Sequence, residues 1–184
     1  MPGSSTEQAL RLALASAERE GATVAMFDGA YLARLPHYLT PGGEGASDGH
    51  ELLEAVRAAH GVIIASPGYH GSISGLVKNA IDYLEDTAKD DRVYLDGVPV
   101  GLIATAYGWQ TTGSTLGTLR SIVHALRGWP TPLGAGINSR GGIFRDGGCT
   151  DPVALAQLDL VGRQVVEFAR FRNQDPSVMD TGTV

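Results

Sequence analysis

The stretch SPGYHGSISGLVKNAIDYL, residues 66–84, decides the fold of this chain. It follows an apolar run at 61–65 that has the composition of a buried strand. The run stops at Pro67-Gly68, a small polar loop follows, and an amphipathic helix begins after it. This helix is predicted to bury Leu76, Val77, Ala80, Ile81 and Leu84. Open α/β sheets bind ligands where a buried strand ends, so the sequence predicts a ligand site in this loop.

Outward from this stretch, helical and strand-like patterns alternate along the chain. Capping and periodicity predict a first helix between Ser4 and Gly21, and helices also flank the central stretch. A last helix is predicted from Asp151-Pro152, with Leu155 and Leu158 inward. Further strands are predicted at 22–27, 98–105 and 132–137, and loops at 30–48, 107–114 and 138–150. This order is that of an α/β doubly wound parallel sheet with helices on both faces.

Length and composition restrict the remaining possibilities. The chain has 184 residues, which suits a single domain over 1–172 with a polar tail at 173–184. A net charge of −6 provides no basic face for nucleic acid. No apolar run approaches the roughly 20 residues of a membrane span, so no membrane partner is expected. The single cysteine, Cys149, cannot form an intramolecular disulfide and no leader pattern is visible, so we expect a cytoplasmic protein.

Several common catalytic motifs are missing from the sequence. His60 and His124 have no suitably spaced carboxylate or cysteine partners, so no metal site is predicted. There is no G-x-S-x-G elbow and no Walker loop, and the glycines at 134 and 136 lack the third glycine of a dinucleotide fingerprint. We therefore predict neither a hydrolase nor a conventional dinucleotide-binding fold, and no side chain is assigned a directly catalytic role.

The central stretch closely resembles the flavin-ring loop of the NAD(P)H-dependent FMN reductase family. That loop has the form S/T-P-x-Y-x-G-S before a helix with K-N-A-I-D, and the chain carries it at 66–72 and 78–82. It departs from the family at Gly68, where Glu is common, and at His70, where Asn is common. The resemblance implies a flavodoxin-like sheet with strand order 2-1-3-4-5, an FMN cofactor, and NADPH or NADH as hydride donor. It also implies a homodimer or homotetramer.

The beginning of the chain departs from this family. Family members begin with an apolar strand that runs into a G-S-x-R-x-x-S phosphate loop, whereas MPGSST at 1–6 looks like the second half of such a loop. Either the recorded start is about a dozen residues late, or the chain begins here and the central strand position is empty. We favour the late start. A genuine start would favour a non-catalytic relative.

The resemblance implies that three groups of residues hold FMN, and the residue types themselves support the first two. Hydroxyls and helix-end amides at the chain start would bind the phosphate, although plain N-capping explains the same residues. The loop after the first predicted strand would approach the ring, although a turn also needs Pro and Gly. An ordinary surface loop is the alternative for the third group, whose neighbours Trp109 and Gln110 could form a wall. The predicted residues are Ser4, Ser5 and Thr6, then Pro67, Gly68, Tyr69, His70, Gly71 and Ser72, and finally Ala106, Tyr107 and Gly108.

The resemblance predicts an NAD(P)H:flavin oxidoreductase, in which hydride moves from the nicotinamide to flavin N5. Reduced FMN would pass to a flavin-dependent monooxygenase, or electrons would pass to a small acceptor. The loops at 30–48 and 138–150 are expected to govern the acceptor. The alternative is a flavodoxin-like electron carrier, which docks through an acidic surface denser than this charge provides. Lys78 and Asp82 are four residues apart on a helix and are interpreted as a structural pair.

Overall fold

The computed structural model describes residues 3–40 and 46–173. Helices and strands alternate along most of this length, as the sequence predicts. In chain order the elements are α1 (Ser5–Arg19), α2 (Gly29–Leu32), α3 (Ala46–Ala58), β1 (Val62–Tyr69), β2 (Ser72–Ile73), α4 (Gly75–Asp82), a 3-10 helix (Tyr83–Thr87), β3 (Pro99–Ala106), α5 (Trp109–Ala125), β4 (Trp129–Asn138), β5 (Phe144–Arg145), β6 (Gly148–Cys149) and α6 (Pro152–Asn173).

Three parallel strands form the centre of the fold, with β3 between β1 and β4. The register between β1 and β3 runs from Val62 opposite Val100 to Pro67 opposite Thr105. The strand pair β3 and β4 ends with Ala106 opposite Asn138. Because the strands are parallel, the segments 66–74, 105–109 and 138–142 leave the sheet on one side, which we call the carboxyl edge.

Both faces of this sheet are covered by helices, which confirms the predicted α/β class. Neighbouring residues of β3 point to opposite faces, since side chains alternate along a strand. Ile103 packs with residues of α1 and α6, whereas Leu102 packs with residues of α4 and α5. The first cluster contains Ala9, Ala13, Leu158 and Val161, and the second contains Val77, Leu119 and Val123.

Helices α1 and α6 cross closely and share a polar contact. A Cβ added at Gly162 would collide with the backbone carbonyl of Ala13, so glycine permits this approach. Buried Ser16 Oγ lies 2.8 Å from the Asp159 carbonyl and 3.0 Å from its carboxylate. Burial alone would raise the pKa of Asp159, but hydrogen bonds from Arg19 and Ser16 and the charge of Arg163 outweigh it, and the pKa is lowered.

The strand predicted at 22–27 is wrong. Residues 22–28 belong to no helix or strand; exposure alternates along 22–26, but the segment forms no strand pairing. In the order 2-1-3-4-5 the second strand pairs only with the first. Among the described residues no parallel strand lies beside β1 on the side away from β3, so the segment has no partner.

Several predicted boundaries also differ from the structure. The first strand does not stop at Pro67-Gly68 but continues to Tyr69, and the loop predicted at 107–114 is mostly the first part of α5. The loop predicted at 138–150 contains the β5–β6 hairpin, and the one at 30–48 overlaps α2 and α3. Leu76 and Leu155, predicted to face inward, are 39% and 41% exposed.

The described range contains most of the predicted domain. Helix α6 reaches Asn173, and most of the predicted tail, 174–184, lies outside the described residues, as does the segment 41–45. No described helix combines the length and apolar character needed to cross a membrane.

Candidate functional site

The amino end of α1 lies at the carboxyl edge. Ser4 is the N-cap of this helix, and its hydroxyl accepts a hydrogen bond from the Glu7 amide at 3.3 Å. Thr6 Oγ1 lies 2.6 Å from Thr105 Oγ1, at the end of β3. The capping interpretation of Ser4 therefore describes its observed contact, while Thr6 joins the helix to the sheet.

A carboxylate shares this helix end with the hydroxyl groups. Glu7 Oε2 accepts a hydrogen bond from the Gly3 amide at 3.0 Å, and Glu7 Oε1 pairs with Arg11 at 2.8 Å. The Glu7 side chain is only 10% exposed. An amide that could bind a ligand phosphate is thus occupied by a carboxylate of the same chain, which lowers the positive potential at the helix end.

The segment after β1 is a tight hairpin held by two serine hydroxyls. The turn lies at His70 and Gly71, which have φ values of 49° and 86°. Buried Ser66 Oγ accepts from the Ser74 amide at 3.0 Å and donates to the Pro67 carbonyl at 2.9 Å. Ser74 in turn caps α4 by accepting from the Val77 amide. Tyr69 projects from this hairpin with 59% of its surface exposed.

Gly68 packs against α5, a role that the sequence did not predict. A Cβ at this position would lie 2.5 Å from Thr115 Oγ1 and 2.7 Å from Thr111 Cγ2. Glycine here therefore allows β1 to pass close to the helix, and the expected approach of a ligand to Gly68 stays a prediction. Thr115 Oγ1 is buried without a hydrogen-bond partner.

The third predicted group lies next to the first, at the end of β3. The Ala106 carbonyl accepts from the Ser139 amide at 2.8 Å, which joins the ends of β3 and β4. Tyr107 is 71% exposed. Gly108 is the N-cap of α5, and a Cβ there would meet no atom within 4 Å. The exposed Trp109 begins the helix.

The start of α5 lacks a side-chain cap, which distinguishes it from α1, α2, α4 and α6. Those helices are capped by the side chains of Ser4, Asp28, Ser74 and Asp151. At α5 no side chain accepts a hydrogen bond from the first turn. Helix-end amides must find acceptors, so these amides are available to a ligand.

The loop 36–38 is fastened to α4 and to the following 3-10 helix by residues that the sequence analysis did not assign to the site. The Pro36 carbonyl accepts hydrogen bonds from Asn79 Nδ2 at 3.0 Å and from the Tyr83 hydroxyl at 2.8 Å. Asn79 Oδ1 also accepts from the Tyr38 amide at 2.8 Å. Burial, together with a hydrogen bond to Asp86, raises the pKa of Tyr38 to about 12. The conspicuous K-N-A-I-D motif contains Asn79 and could have directed attention to it.

The contacts connect the three predicted groups. Thr6 touches Thr105, Thr105 is paired with Pro67 in the sheet, and Ala106, Tyr107 and Gly108 follow directly. Thr105 was not predicted, although a hydroxyl at the end of an apolar strand is a usable signal. Lys78 and Asp82 form the predicted pair at 2.5 Å.

A cleft of about 480 Å³ lies elsewhere, among Val56, Arg57, Lys89, Asp90 and Arg92. These residues precede β1 and β3, so the cleft is at the opposite end of the strands from the carboxyl edge. Arg57 there is paired with Glu54 and Asp90. Within 3–40 and 46–173, no group of three or more His, Cys, Asp and Glu side chains could hold a metal ion.

The carboxyl edge fits a ligand with an anionic end and a flat ring. Hydroxyls and amides lie at α1, and uncapped amides begin α5. A Cβ added at Gly108 would meet no atom within 4 Å, and the neighbouring side chains of Tyr107 and Trp109 are exposed. The fold is that of a flavodoxin-like α/β protein, a class in which ligands bind beyond the carboxyl ends of the strands. The sequence model of the NADPH-dependent FMN reductase family matches residues 1–140, and the chain belongs to that family. This confirms the resemblance predicted from the sequence.

A curated relative agrees with this assignment. The FMN-dependent NADPH-azoreductase of Staphylococcus aureus (strain USA300) is 39% identical over 82 residues, which cover 45% of this chain. The match spans 40% of the azoreductase's length.

Solved structures share the fold at lower identity. An oxidoreductase from Corynebacterium diphtheriae superposes with a TM-score of 0.68 at 21% identity, over 95% of this chain and 92% of the other. The NAD(P)H:(acceptor) oxidoreductase FerB from Paracoccus denitrificans superposes with a TM-score of 0.69 at 19% identity, over 93% of this chain and 92% of the other.

Proposed function

We propose that this protein is an NAD(P)H-dependent FMN reductase whose site is the carboxyl edge. The observation that carries the proposal is the junction at Thr105, where the end of β3 contacts α1 through Thr6 and continues into the open segment at Tyr107 and Gly108. The proposed phosphate site and ring site would thus be adjacent, as a mononucleotide requires. Membership of the FMN reductase family supports the choice of FMN.

The phosphate would be held at the start of α1. Ser5, Thr6 and the first-turn amides of the helix offer hydroxyl and N–H donors, while Ser4 keeps the helix capped. Thr105 fixes the Thr6 side chain through the 2.6 Å contact between their hydroxyls. These residues orient the cofactor relative to the strand ends.

The ring would be held by the hairpin at 67–72 and by residues 106–108. The hairpin turn and the uncapped start of α5 present backbone amides to the polar edge of the ring. Tyr107 and Trp109 offer exposed aromatic surface that excludes water from one ring face. FMN held by these residues would supply the redox chemistry, as the acceptor of a hydride from the nicotinamide. No side chain needs to act as nucleophile or acid, in agreement with the absence of an assigned catalytic residue.

The loops beside the carboxyl edge would determine which electron acceptor the protein uses. Asn79 and Tyr83 hold the loop 36–38 against α4, and the β5–β6 hairpin follows β4. These fixed loops would limit the shape of an acceptor that approaches the ring. A monooxygenase partner, a homodimer or homotetramer, and a cytoplasmic location stay predictions.

The test is to titrate the purified chain with FMN and then add NADPH or NADH aerobically. We expect a change in the visible flavin spectrum on binding, and nicotinamide oxidation that depends on both protein and FMN. Binding of FMN without nicotinamide oxidation would contradict a reductase and favour the electron carrier. Absence of FMN binding would contradict the site itself.

A further inference from the structure

Arg140 lies at the carboxyl edge with a free guanidinium. It follows the end of β4 by two residues and is exposed. Its backbone amide is hydrogen-bonded, but its guanidinium makes no hydrogen bond or ion pair within the described part of the chain. A solvent-exposed guanidinium is hydrated, so it needs no protein partner for stability. The position of Arg140 at the carboxyl edge is therefore more informative about function than its exposure.

The backbone that carries Arg140 is fixed. Asn138 Oδ1 accepts from the Arg140 amide at 3.1 Å, and the Ser139 amide donates to the Ala106 carbonyl at 2.8 Å. Gly141 and Gly142 then turn the chain with φ values of 88° and 68°. Arg140 is therefore anchored one residue from a direct contact with the end of β3.

Other cations near this edge have partners. Arg11 is paired with Glu7, and Lys78 with Asp82. Arg145 Nε donates to the Gly142 carbonyl at 3.1 Å. Arg140 is thus the cation available at the end of β4 for an incoming anion. A cation at this edge would favour binding of a nicotinamide dinucleotide, because a chain with net charge −6 repels this anionic molecule at long range.

We propose that Arg140 binds the 2′-phosphate of NADPH and thereby makes the protein prefer NADPH over NADH. The two donors differ only in this phosphate, which is a dianion at neutral pH. A guanidinium matches phosphate with paired, charge-assisted hydrogen bonds, so it discriminates strongly between the donors. The inference rests on the proposed function, since it assumes that the dinucleotide reaches the carboxyl edge.

A binding experiment tests the inference without turnover. Isothermal titration calorimetry would compare 2′,5′-ADP, which carries the 2′-phosphate, with 5′-AMP, which lacks it. The wild type should bind 2′,5′-ADP about ten-fold more tightly or better, and Arg140→Gln should lose that preference. Arg145→Gln removes the same charge from the same segment, and this variant should keep the preference for 2′,5′-ADP. Equal binding of both nucleotides by the wild type, or a preference that survives in Arg140→Gln, would overturn the inference.

Steady-state kinetics separate this inference from the proposed function. In Arg140→Gln the KM for NADPH should rise about ten-fold or more, with an unchanged kcat and little change in the KM for NADH. A wild type that oxidises NADPH and NADH with equal KM would refute the role of Arg140 but leave the reductase proposal intact. A wild type that oxidises neither would refute the reductase proposal, and the nucleotide titrations would then decide the role of Arg140 alone.

Discussion

The hydroxyl oxygens of Thr6 and Thr105 lie 2.6 Å apart, although 99 positions separate the two residues in the chain. Thr105 is 3% exposed and sits one residue before the end of β3. The contact fixes the start of α1 against the strand end. The proposed phosphate donors on the helix and the proposed ring contacts beyond the strand would therefore keep a constant separation.

Thr105→Val should weaken FMN binding while keeping the fold. Valine preserves the shape of the side chain but removes the hydroxyl contact, so unfolding free energy should fall by about 1–2 kcal/mol. If Thr6 positions the phosphate, the Kd for FMN should rise about ten-fold. Fluorescence titration with FMN and urea unfolding measure the two effects.

Thr131→Val is the matched control for this variant. Thr131 is 2% exposed and its hydroxyl bonds to the Leu133 carbonyl at 3.2 Å, near the amino end of β4. Its stability loss should be similar, with unchanged FMN affinity. Equal FMN affinity in Thr105→Val and Thr131→Val would show that the threonine contact has no role in binding.

Gly108→Leu should abolish FMN binding at little cost to stability. The residue has an extended backbone at φ −155°, and a Cβ would meet no atom within 4 Å, so leucine fits the free protein. The side chain would fill the space proposed for the ring, and FMN affinity should fall at least about a hundred-fold. Thermal unfolding and FMN titration check both parts.

Gly113→Leu provides the comparison on the same helix. A Cβ at Gly113 also meets no atom within 4 Å, but the residue lies in the second turn of α5. The Gly113→Leu variant should bind FMN normally, and its free energy of unfolding should rise by about 0.5–1 kcal/mol because leucine has a higher helix propensity than glycine. If Gly108→Leu bound FMN as tightly as Gly113→Leu, the placement of the flavin ring at Gly108 would be wrong.

Glu7→Gln should tighten FMN binding. The Glu7 carboxylate lies in the first turn of α1, where it opposes a phosphate dianion, and glutamine can still accept from the Gly3 amide. We expect the Kd to fall about two- to five-fold at low salt and the gain to shrink as salt is added. Glu18→Gln removes the same charge from the other end of the helix, and it should leave the Kd unchanged. An unaltered Kd in Glu7→Gln would place the phosphate away from α1.

Asp159→Asn should lose stability in a pH-dependent way. The pKa of Asp159 is lowered in the folded protein, because hydrogen bonds from Arg19 and Ser16 and the charge of Arg163 outweigh burial. Its carboxylate therefore stabilises the fold above its unfolded pKa, and this contribution disappears as pH falls through the lower folded pKa. Urea midpoints should differ between wild type and variant at pH 7 and converge in the acid range below about pH 4. A difference independent of pH would mean that charge is not the cause.

Much of the fold could be predicted because its signals are local. Ser4 and Asp151 are helix caps in both the sequence pattern and the structure, and the apolar run of β3 is a buried strand. The prediction of a strand at 22–27 was wrong because the sequence pattern is local, whereas a β-strand forms only when a neighbouring strand pairs with it. Pattern alone gives no information about that neighbour.

The sequence named three candidate groups of site residues, but it did not predict how they are arranged in space. The sequence identified Thr6 and the residues after β3 separately, yet nothing in it shows that Thr6 touches Thr105. It predicted a ligand contact for Gly68, which stays a prediction, but it did not predict the packing of Gly68 against Thr115. The turn was expected at Pro67-Gly68 but lies at His70-Gly71, because Pro67 is accommodated in β1 opposite Thr105. Such pairings depend on tertiary contacts far apart in the chain.

The buried hydroxyl of Ser66 has a consequence for binding kinetics and calorimetry. By joining the Pro67 carbonyl to the Ser74 amide, it holds the hairpin and the start of α4 together before any ligand arrives. A ligand that binds this hairpin pays little ordering entropy and need not wait for a loop to close. Association should accordingly be fast, and differences in affinity among ligands should arise mainly in their dissociation rates.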